Sequence, residues 1–534
     1  MPHPYRSQIL DHLGLVAGLF DALGIGAVIA RATRHHPDTR IVTTGDAVKA
    51  MVLNGLGCVN QQRSLVSRFC QDTPTSRLLA PLLIEAKHLH DDALGRALDT
   101  RDAYGVTELY RLIAATAAER LGLAPHLAHL DSTSCQVDGR YNSDHAPDEP
   151  VVPSTRGDSR EHRPDLNHVM LALMVEPQAG IPGLMKPLSG NRSDAPEFGQ
   201  IVRDHMAQLH TPDGTTYLVA ESALSSEDNL QKLSETRLKW ITRVPGTLSD
   251  AQTALAQADP QTMAPLLDGY RDRVLPSTSG GVAQRGVLIS SEHRLPQAQR
   301  TVDQPWLKHS EQEVKACRHL CHTACACAAD AQQALATFEH SLQATLLAQS
   351  TVRSRPRYGQ RGRPGADTPP DQVVYFIEGA LASRIAPRQA LVDRQSCVLL
   401  APNELDVTQL PPQALLEGYK GQGQAERGLR FLKAPRFLAS SLYLKKPARI
   451  MALLMVMTVC LLVSAALEYR MRHARKNHGA TFPNQQGIPV QNPTARWVLH
   501  YVVGIHVLLI PGQWPLVLNR TEAHQHLLKL LGKP

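Results

Sequence analysis

The chain has 534 residues, a formal net charge of +7, 43% hydrophobic residues and nine cysteines. That length is too great for one hydrophobic core and, at about 150 residues per domain, predicts about three domains. The hydrophobic content is ordinary for a soluble globular protein. The uneven cysteine spacing fits a reduced, cytoplasmic protein better than a disulfide framework. The first residues, Met-Pro-His-Pro-Tyr-Arg, lack the pattern of a secretory signal.

Residues 1–125 are predicted to form a helical N-terminal domain. Apolar residues recur at helical spacing in three stretches, and Thr44 can cap the second of them. The stretches are HLGLVAGLFDALGIGAVIARATR, TTGDAVKAMVLNGLG and DDALGRALDTRDAYGVTELYRLIAATAAERLG.

Residues 126–245 change to short apolar runs, which predict five strands with helices between the later ones. The runs are LAHLDST at 127–133, LNHVMLALMV at 166–175, GIPGLMKPL at 180–188, TYLVAE at 216–221 and KWITRVP at 239–245, with helical stretches at about 194–210 and 224–236. Three strands followed by helix, strand, helix and strand predict the first part of a ribonuclease H-like α/β domain with a mixed sheet. In that fold the first and fourth strands are neighbours.

Residues 246–400 leave this plan and predict a large insertion domain. By composition, strands are predicted within it at RGVLISS, QVVYFIEGAL and QALVDRQSCVLLAP. Four cysteines, with His319 and His322, suggest either a zinc site or an Ala-rich helix with small buried thiols; the second is favoured because two separated ligand pairs are lacking. The cysteines are Cys317, Cys321, Cys325 and Cys327. The segment Arg353 to Arg363 carries five arginines with Pro and Gly, which predicts a flexible loop that either contacts phosphates or only increases solubility.

Residues 401–534 are predicted to complete the interrupted α/β domain and to end in helices. If the stretch from Tyr419 to Lys433 is helical, one face carries Tyr419, Gln422, Glu426, Arg430 and Lys433, and Pro435 supplies a stop. Between Tyr419 and Lys476 there are twelve Lys or Arg residues and two acids. This excess predicts a surface that binds a polyanion, with a merely solvated basic surface as the alternative.

The stretch Ile450 to Leu467 has eighteen residues without a charge. That is just long enough for a membrane span. A helix that is apolar all round can equally form the buried centre of a large domain, which is the favoured interpretation.

Several motifs occur together and in order along the chain. They are HLDSTSCQVDGRYN near residue 130, HRPDLN at 162–167, MKPLSGNRSD at 185–194, YLVAESALSSEDNL at 217–230, the spacing Tyr-x2-Gln-x3-Glu-x6-Lys from Tyr419, and IMALLMVMTVCLLVSAALEYR at 450–470. The set resembles the bacterial insertion-sequence DDE transposases that carry a Tyr-Arg-Glu-Lys signature, and it extends over nearly the whole chain.

The resemblance implies a ribonuclease H-like catalytic domain and a cytoplasmic, nucleoid-associated protein. Its partners would be the terminal inverted repeats of a mobile element and target DNA, bound by a homodimer, with the N-terminal domain as a possible reader of DNA ends. The implied reaction is strand cleavage followed by strand transfer.

The implied catalytic and metal-binding acids are Asp131, Glu221 and Glu426. Converging carboxylates repel one another unless divalent cations are present, and an oxygen-rich site suits two Mg²⁺ or Mn²⁺ ions. The implied DNA contacts are Tyr419, Gln422, Arg427, Arg430 and Lys433. Arginine can engage two phosphate oxygens at once.

The chain departs from the family pattern at two positions. Glu221 stands where the family has Asp, and its carboxylate is displaced by about 1.5 Å, which the strict geometry of Mg²⁺ does not readily accept. Gln422 replaces an Arg, which removes a positive charge near the scissile phosphate. These departures keep open a second function, that of a decayed transposase that binds DNA without cutting it. A membrane-anchored protein is a third reading, supported only by Ile450 to Leu467.

Overall fold

The chain folds into two compact units in a computed structural model. The first unit contains Met1–Thr242, Ser279–Val282 and Ala414–Pro534, and the second contains Arg243–Thr278 and Ala283–Gln413. The structure describes residues 5–33, 41–57, 66–79, 84–102, 105–123, 127–137, 167–189, 194–204, 216–220, 222–236, 238–279, 281–359, 365, 368–433, 446–479 and 481–532. Each unit has its own strands and its own buried apolar core.

The N-terminal part of the first unit is helical, as predicted, after one short strand. Its elements are β1 (Arg6–Ile9), α1 (Leu13–Ala22), α2 (Ile25–Ala32), α3 (Thr44–Gly57), α4 (Val66–Gln71), α5 (Thr75–Leu78), α6 (Asp91–Asp102) and α7 (Val106–Leu121). Helix α7 buries Leu109, Tyr110, Ile113 and Ala117 at helical spacing. The Tyr110 hydroxyl donates a hydrogen bond of 2.8 Å to the carbonyl oxygen of Pro182, which ties this helix to the sheet described next.

The centre of the first unit is a mixed sheet of five strands with helices between the later strands. The elements are β2 (Leu127–Val137), β3 (Asn167–Glu176), β4 (Ile181–Ser189), α8 (Asp194–Asp204), β5 (Tyr217–Ala220), α9 (Glu227–Ser234) and β6 (Lys239–Arg243). The strand order in this unit is β4-β3-β2-β5-β6. Strand β3 is antiparallel to β2 and β4, whereas β2, β5 and β6 are parallel. The five predicted strands and the pairing of the first with the fourth are confirmed.

The two faces of this sheet bury different sets of side chains, because successive residues of a strand point to opposite faces. Leu130 of β2 and Leu218 of β5 pack in one apolar cluster with Ile201 of α8 and Leu230 of α9. Leu171 and other alternate residues of β3 face a second cluster, which contains the helices near the C-terminus.

The second unit contains a four-stranded group and a separate two-stranded ribbon. Its elements are α10 (Ser249–Ala256), β7 (Ala264–Leu267), β8 (Tyr270–Ser279), β9 (Val282–Ser291), α11 (Leu295–His322), α12 (Ala328–Ser341), β10 (Thr345–Arg357), β11 (Gln372–Ser383), α13 (Ile385–Ser396) and β12 (Cys397–Pro402). The group has the order β12-β9-β8-β7, and β10 pairs with β11 in a sheet of two strands among the described residues. Within QALVDRQSCVLLAP, the prediction of a strand is wrong for the first half, which forms α13.

The remaining elements belong to the first unit, apart from the start of α14. They are α14 (Pro412–Lys420), α15 (Gln422–Lys433), α16 (Pro447–His478), β13 (Phe482–Pro483), β14 (Pro489–Val490), α17 (Ala495–Tyr501), β15 (His506–Leu509), β16 (Leu516–Leu518) and α18 (Glu522–Leu530). Helix α16 is long and apolar enough to cross a membrane by length and composition, yet 94% of its most apolar window is buried inside the protein. The interpretation of Ile450 to Leu467 as the buried centre of a domain is confirmed.

Two predictions for the second unit require correction. Arg353 to Arg357 form the end of strand β10 and are not a flexible loop; residues 360–363 of that stretch lie outside the described residues. The four cysteines do not share one helix, since Cys317 and Cys321 lie in α11 whereas Cys325 and Cys327 follow it. In the part of the chain that the structure describes, no three His, Cys, Asp or Glu side chains form a cluster able to hold a metal ion.

Candidate functional site

Strands β2 and β5 are neighbours in the sheet, and each leads to one of the acids selected from the sequence. They run parallel, and the last described pair between them joins Leu130 to Ala220. These are the residues directly before Asp131 and Glu221. Glu221 itself lies outside the described residues, so its position stays a prediction.

Asp131 lies in β2 with its side chain half-buried. One carboxylate oxygen, Oδ1, accepts a hydrogen bond of 2.7 Å from the backbone N–H of Ser132. Asp131 and His129 are two residues apart and therefore share one face of the strand. This face differs from the one that carries Leu130 and Ser132, which packs on α8 and α9.

His129 gives this face a buried polar group. Its side chain is fully buried, and burial lowers the pKa of the imidazole to about 4, so the ring is neutral at neutral pH. Among the described residues neither ring nitrogen has a hydrogen-bond partner. His129 is not among the residues predicted from the sequence, although it lies in the same motif as Asp131, two positions before it.

Gly421 separates α14 from α15 and allows this junction to lie directly on the sheet. A Cβ atom at Gly421 would be 2.9 Å from His129 Nε2 and 3.0 Å from Pro177 Cβ. Both distances are shorter than a side chain tolerates, so only glycine fits at this close approach. The stretch from Tyr419 to Lys433 is helical except at Gly421, where α14 ends and α15 begins.

Helix α15 has a buried side and an exposed side. Ala425, Leu429 and Leu432 are buried in the cluster that also contains Leu171 of β3. Gly428 faces α16, where an added Cβ would be 3.1 Å from Leu461 Cδ2. The cost of Gly421 and Gly428 in helix propensity is therefore offset by the close packing that they permit.

The exposed side of α15 carries three predicted site residues, Glu426, Arg427 and Arg430. The Glu426 side chain is 47% exposed, and its Oε2 accepts a hydrogen bond of 3.4 Å from Arg430 Nη2. Arg427 Nε donates to the carbonyl oxygen of Gly423 at 3.3 Å. This surface therefore presents one carboxylate beside two guanidinium groups.

Three other predicted DNA contacts are less accessible. Tyr419 lies in α14 and is half-buried, as is Lys433 at the end of α15. Gln422 is only 5% exposed, and among the described residues its amide oxygen and nitrogen have no hydrogen-bond partner. Gln422 is thus buried although Glu426, one turn later, is exposed, since α15 begins beside the close approach of Gly421 to the sheet; its contact with DNA stays a prediction.

The comparisons with known proteins give a family match and a likeness to solved structures. A family model described as a domain of unknown function, DUF4277, matches residues 5–115. No curated protein matches the chain. The cryo-EM structure of a piggyBac transposase synaptic complex with hairpin DNA is similar over 94% of this chain and 82% of that chain, at 10% identity and a TM-score of 0.38. Those values are too low to assign a fold or a function.

Proposed function

We propose that this chain is the transposase of an insertion sequence, which cleaves DNA strands at the ends of its element and joins them to target DNA. The observation that carries the proposal is the parallel pairing of β2 with β5. Leu130 and Ala220 are partners, and each precedes one of the acids that the sequence resemblance selects, Asp131 and Glu221. The strand order β4-β3-β2-β5-β6 is the arrangement expected of a ribonuclease H-like domain.

The third acid of the proposed site, Glu426, is supplied by α15, which packs on β2 and β3. Its carboxylate is half-exposed and makes a long contact of 3.4 Å to Arg430. Asp131 and Glu426 offer oxygen donors, which fit a hard cation such as Mg²⁺ or Mn²⁺. A pair of such ions would polarise the scissile phosphate and lower the pKa of an attacking hydroxyl or water.

The residues around these acids have separate proposed roles. Arg427 and Arg430 would bind phosphate oxygens of the DNA strand beside Glu426, because guanidinium donors can bind two oxygens at once. Tyr419 and Lys433 would contact the DNA at the edges of the same surface. As expected from the sequence, the N-terminal helices would read the element ends and the chain would act as a homodimer in the cytoplasm.

One observation favours a second function, that of a DNA-binding protein without cleavage activity. Gln422 is buried, so the position at which the family carries a cation offers none to the DNA here. Together with Glu221 in place of Asp, this would weaken stabilisation of charge in the transition state.

Cleavage of DNA that carries the element's own ends tests both functions, in Mg²⁺ and in Mn²⁺. Glu426→Gln should reduce cleavage by about three orders of magnitude, because removing a metal-binding carboxylate costs several kcal/mol of transition-state stabilisation. Glu417→Gln, the same change at an exposed position of α14, is the matched control and should cleave normally.

Glu221→Asp separates the two proposed functions. If the native chain cleaves and Glu426→Gln does not, the enzyme function stands. Cleavage by Glu221→Asp alone would support the inactive DNA binder. Equal cleavage by the native chain and Glu426→Gln would reject the proposed site.

A further inference from the structure

Strands β10 and β11 form a two-stranded ribbon in the second unit. The pairing of these strands shows which side chains share a face, and one face carries arginines. The strands pair antiparallel from Thr345 opposite Ser383 to Arg357 opposite Gln372, with one irregularity between Leu347 and Gln349. Beyond that point, Arg353, Arg355 and Arg357 alternate along β10 and therefore project from one face. We call these three residues, with Phe376 and Glu378 of β11, the arginine face.

The ribbon is held by other parts of its own unit, by α11 at its base and by the segment after α11 along one edge. At the base, Glu313 of α11 accepts hydrogen bonds from the backbone N–H groups of Gln343, Ala344 and Thr345 at 2.6–3.0 Å, and from the Thr345 hydroxyl at 2.7 Å. Along the outer edge of β11, Cys325 and Tyr375 exchange backbone hydrogen bonds of 2.8 and 3.0 Å. The arginine face is thus carried on an anchored support.

The arginines of this face remain open to solvent. The side chains of Arg353 and Arg355 are 67% and 63% exposed, and Arg357 is also exposed. One carboxylate serves two of them, since Glu378 lies 2.9 Å from Arg353 and 3.6 Å from Arg355. The face therefore keeps an excess of positive charge.

Phe376 holds one of these cations in place. The Arg355 guanidinium carbon lies 5.2 Å from the centre of the Phe376 ring, within the range of a cation–π interaction. This contact restricts the Arg355 side chain before any ligand arrives, so less conformational entropy is lost on binding.

We propose that the arginine face binds the phosphate backbone of duplex DNA, independently of base sequence; this inference rests on the proposed DNA function. Successive arginines are about 6.7 Å apart along the strand. Along the DNA helix axis, this distance corresponds to about two phosphates of one strand, at about 3.4 Å each. A two-stranded ribbon is also narrow enough to follow the major groove. Glu378 acts as an internal competitor that phosphates must displace from Arg353 and Arg355.

The test measures affinity of the full chain for a duplex of unrelated sequence by fluorescence anisotropy at several salt concentrations. The variant R353A/R355A/R357A should reduce the slope of log K against log [salt] by about 2.7 in magnitude, because each phosphate contact contributes about 0.9 to that slope. On raising salt from about 50 to about 200 mM, the variant should therefore lose about 40-fold less affinity than the native chain.

Two further variants make this result specific to the ribbon. K308A/K315A/R318A removes three exposed cations from α11 and should leave the salt dependence unchanged, whereas Glu378→Gln should tighten binding by releasing two arginines. Circular dichroism is the control that checks whether each variant is folded. Equal weakening by the two triple variants would overturn the proposal, because net charge alone would then explain the effect.

The same measurements separate this inference from the proposed chemistry. Duplex binding that depends on the arginine face, without any strand cleavage, would uphold the inference and reject the enzyme. Cleavage with normal salt dependence in R353A/R355A/R357A would uphold the enzyme and reject the inference. A native chain that binds no duplex would reject both.

Discussion

Helices α15 and α16 follow one another in the chain and pack together, yet they use their surfaces differently. Almost every side chain in the apolar part of α16 is buried, including the polar Thr458, whose hydroxyl donates within the helix to Leu454. Helix α15 buries only one stripe and exposes Glu426, Arg427 and Arg430 on the other side. The first helix therefore offers a charged surface, and the second supports it from inside the core.

This difference suggests how stability and function are divided between the two helices. Substitutions in α16 should act on the free energy of unfolding, because its side chains contact other apolar groups from all directions. Substitutions on the exposed side of α15 should act on DNA cleavage, because surface positions contribute little to stability. Measuring the free energy of unfolding and DNA cleavage for variants of both helices therefore tests this division.

The largest stability effect is expected for Leu462→Ala in α16. Leu462 is fully buried in the main core, and removing such a side chain leaves a cavity that costs about 2–5 kcal/mol. Urea unfolding followed by circular dichroism measures this loss. Glu426→Gln is the contrasting variant, and its free energy of unfolding should stay within about 0.5 kcal/mol of the native value.

An equal loss of stability in Leu462→Ala and Glu426→Gln would contradict this division between the two helices. Glu426 would then be a structural residue, and loss of cleavage in its variant would carry no information about chemistry. A loss only in Leu462→Ala keeps the charged side of α15 available for a functional role.

The sequence predicts α16 and the five-stranded sheet well because each has a simple physical signal. Eighteen uncharged residues require burial whatever surrounds them, and short apolar runs of strand length indicate a sheet. It does not predict the burial of Gln422. Helical periodicity assigns residues to a face, but it does not tell where along the helix the sheet covers that face.

The arginine face shows the same limit in another form. Arg, Pro and Gly around Arg353 to Arg363 are typical of a loop, so the sequence predicts the partner strand QVVYFIEGAL but not β10 itself. Strand β10 depends instead on pairing with β11 and on the hydrogen bonds that Glu313 accepts at its base. Contacts between residues this far apart in sequence decide the structure, and composition does not show them.

A smaller effect is expected at the junction between α14 and α15. Gly421→Ala should lower the free energy of unfolding by about 1–3 kcal/mol, because its Cβ would press on His129 and Pro177. Gly423 is the matched control, since a Cβ there would meet nothing within 4 Å. Gly423→Ala should raise stability by up to about 1 kcal/mol through better helix propensity. Equal effects in urea unfolding would show that the sheet does not constrain the junction.

The smallest effect is expected where the start of α16 is tied to α6. Arg449 donates from Nε and Nη2 to the two carboxylate oxygens of Asp99, both at 2.7 Å. The side chains are 29% and 39% exposed, so solvent screening limits the pair to about 1 kcal/mol. These hydrogen bonds, followed by the charge of Arg449, hold the pKa of Asp99 below its ordinary value despite the opposing effect of burial.

The lowered pKa of Asp99 gives this prediction a pH dependence with a definite sign. The stabilisation is fully present above the unfolded pKa of about 3.9 and is lost as the pH falls through the lower folded pKa. Asp99→Asn should therefore be less stable than the native chain by about 1 kcal/mol at neutral pH, and the difference should shrink only in acid. Glu119→Gln, an exposed carboxyl on α7, should show no such difference. If the difference in stability between Asp99→Asn and the native chain persists at low pH, the packing of Arg449, and not its charge, links α6 to α16.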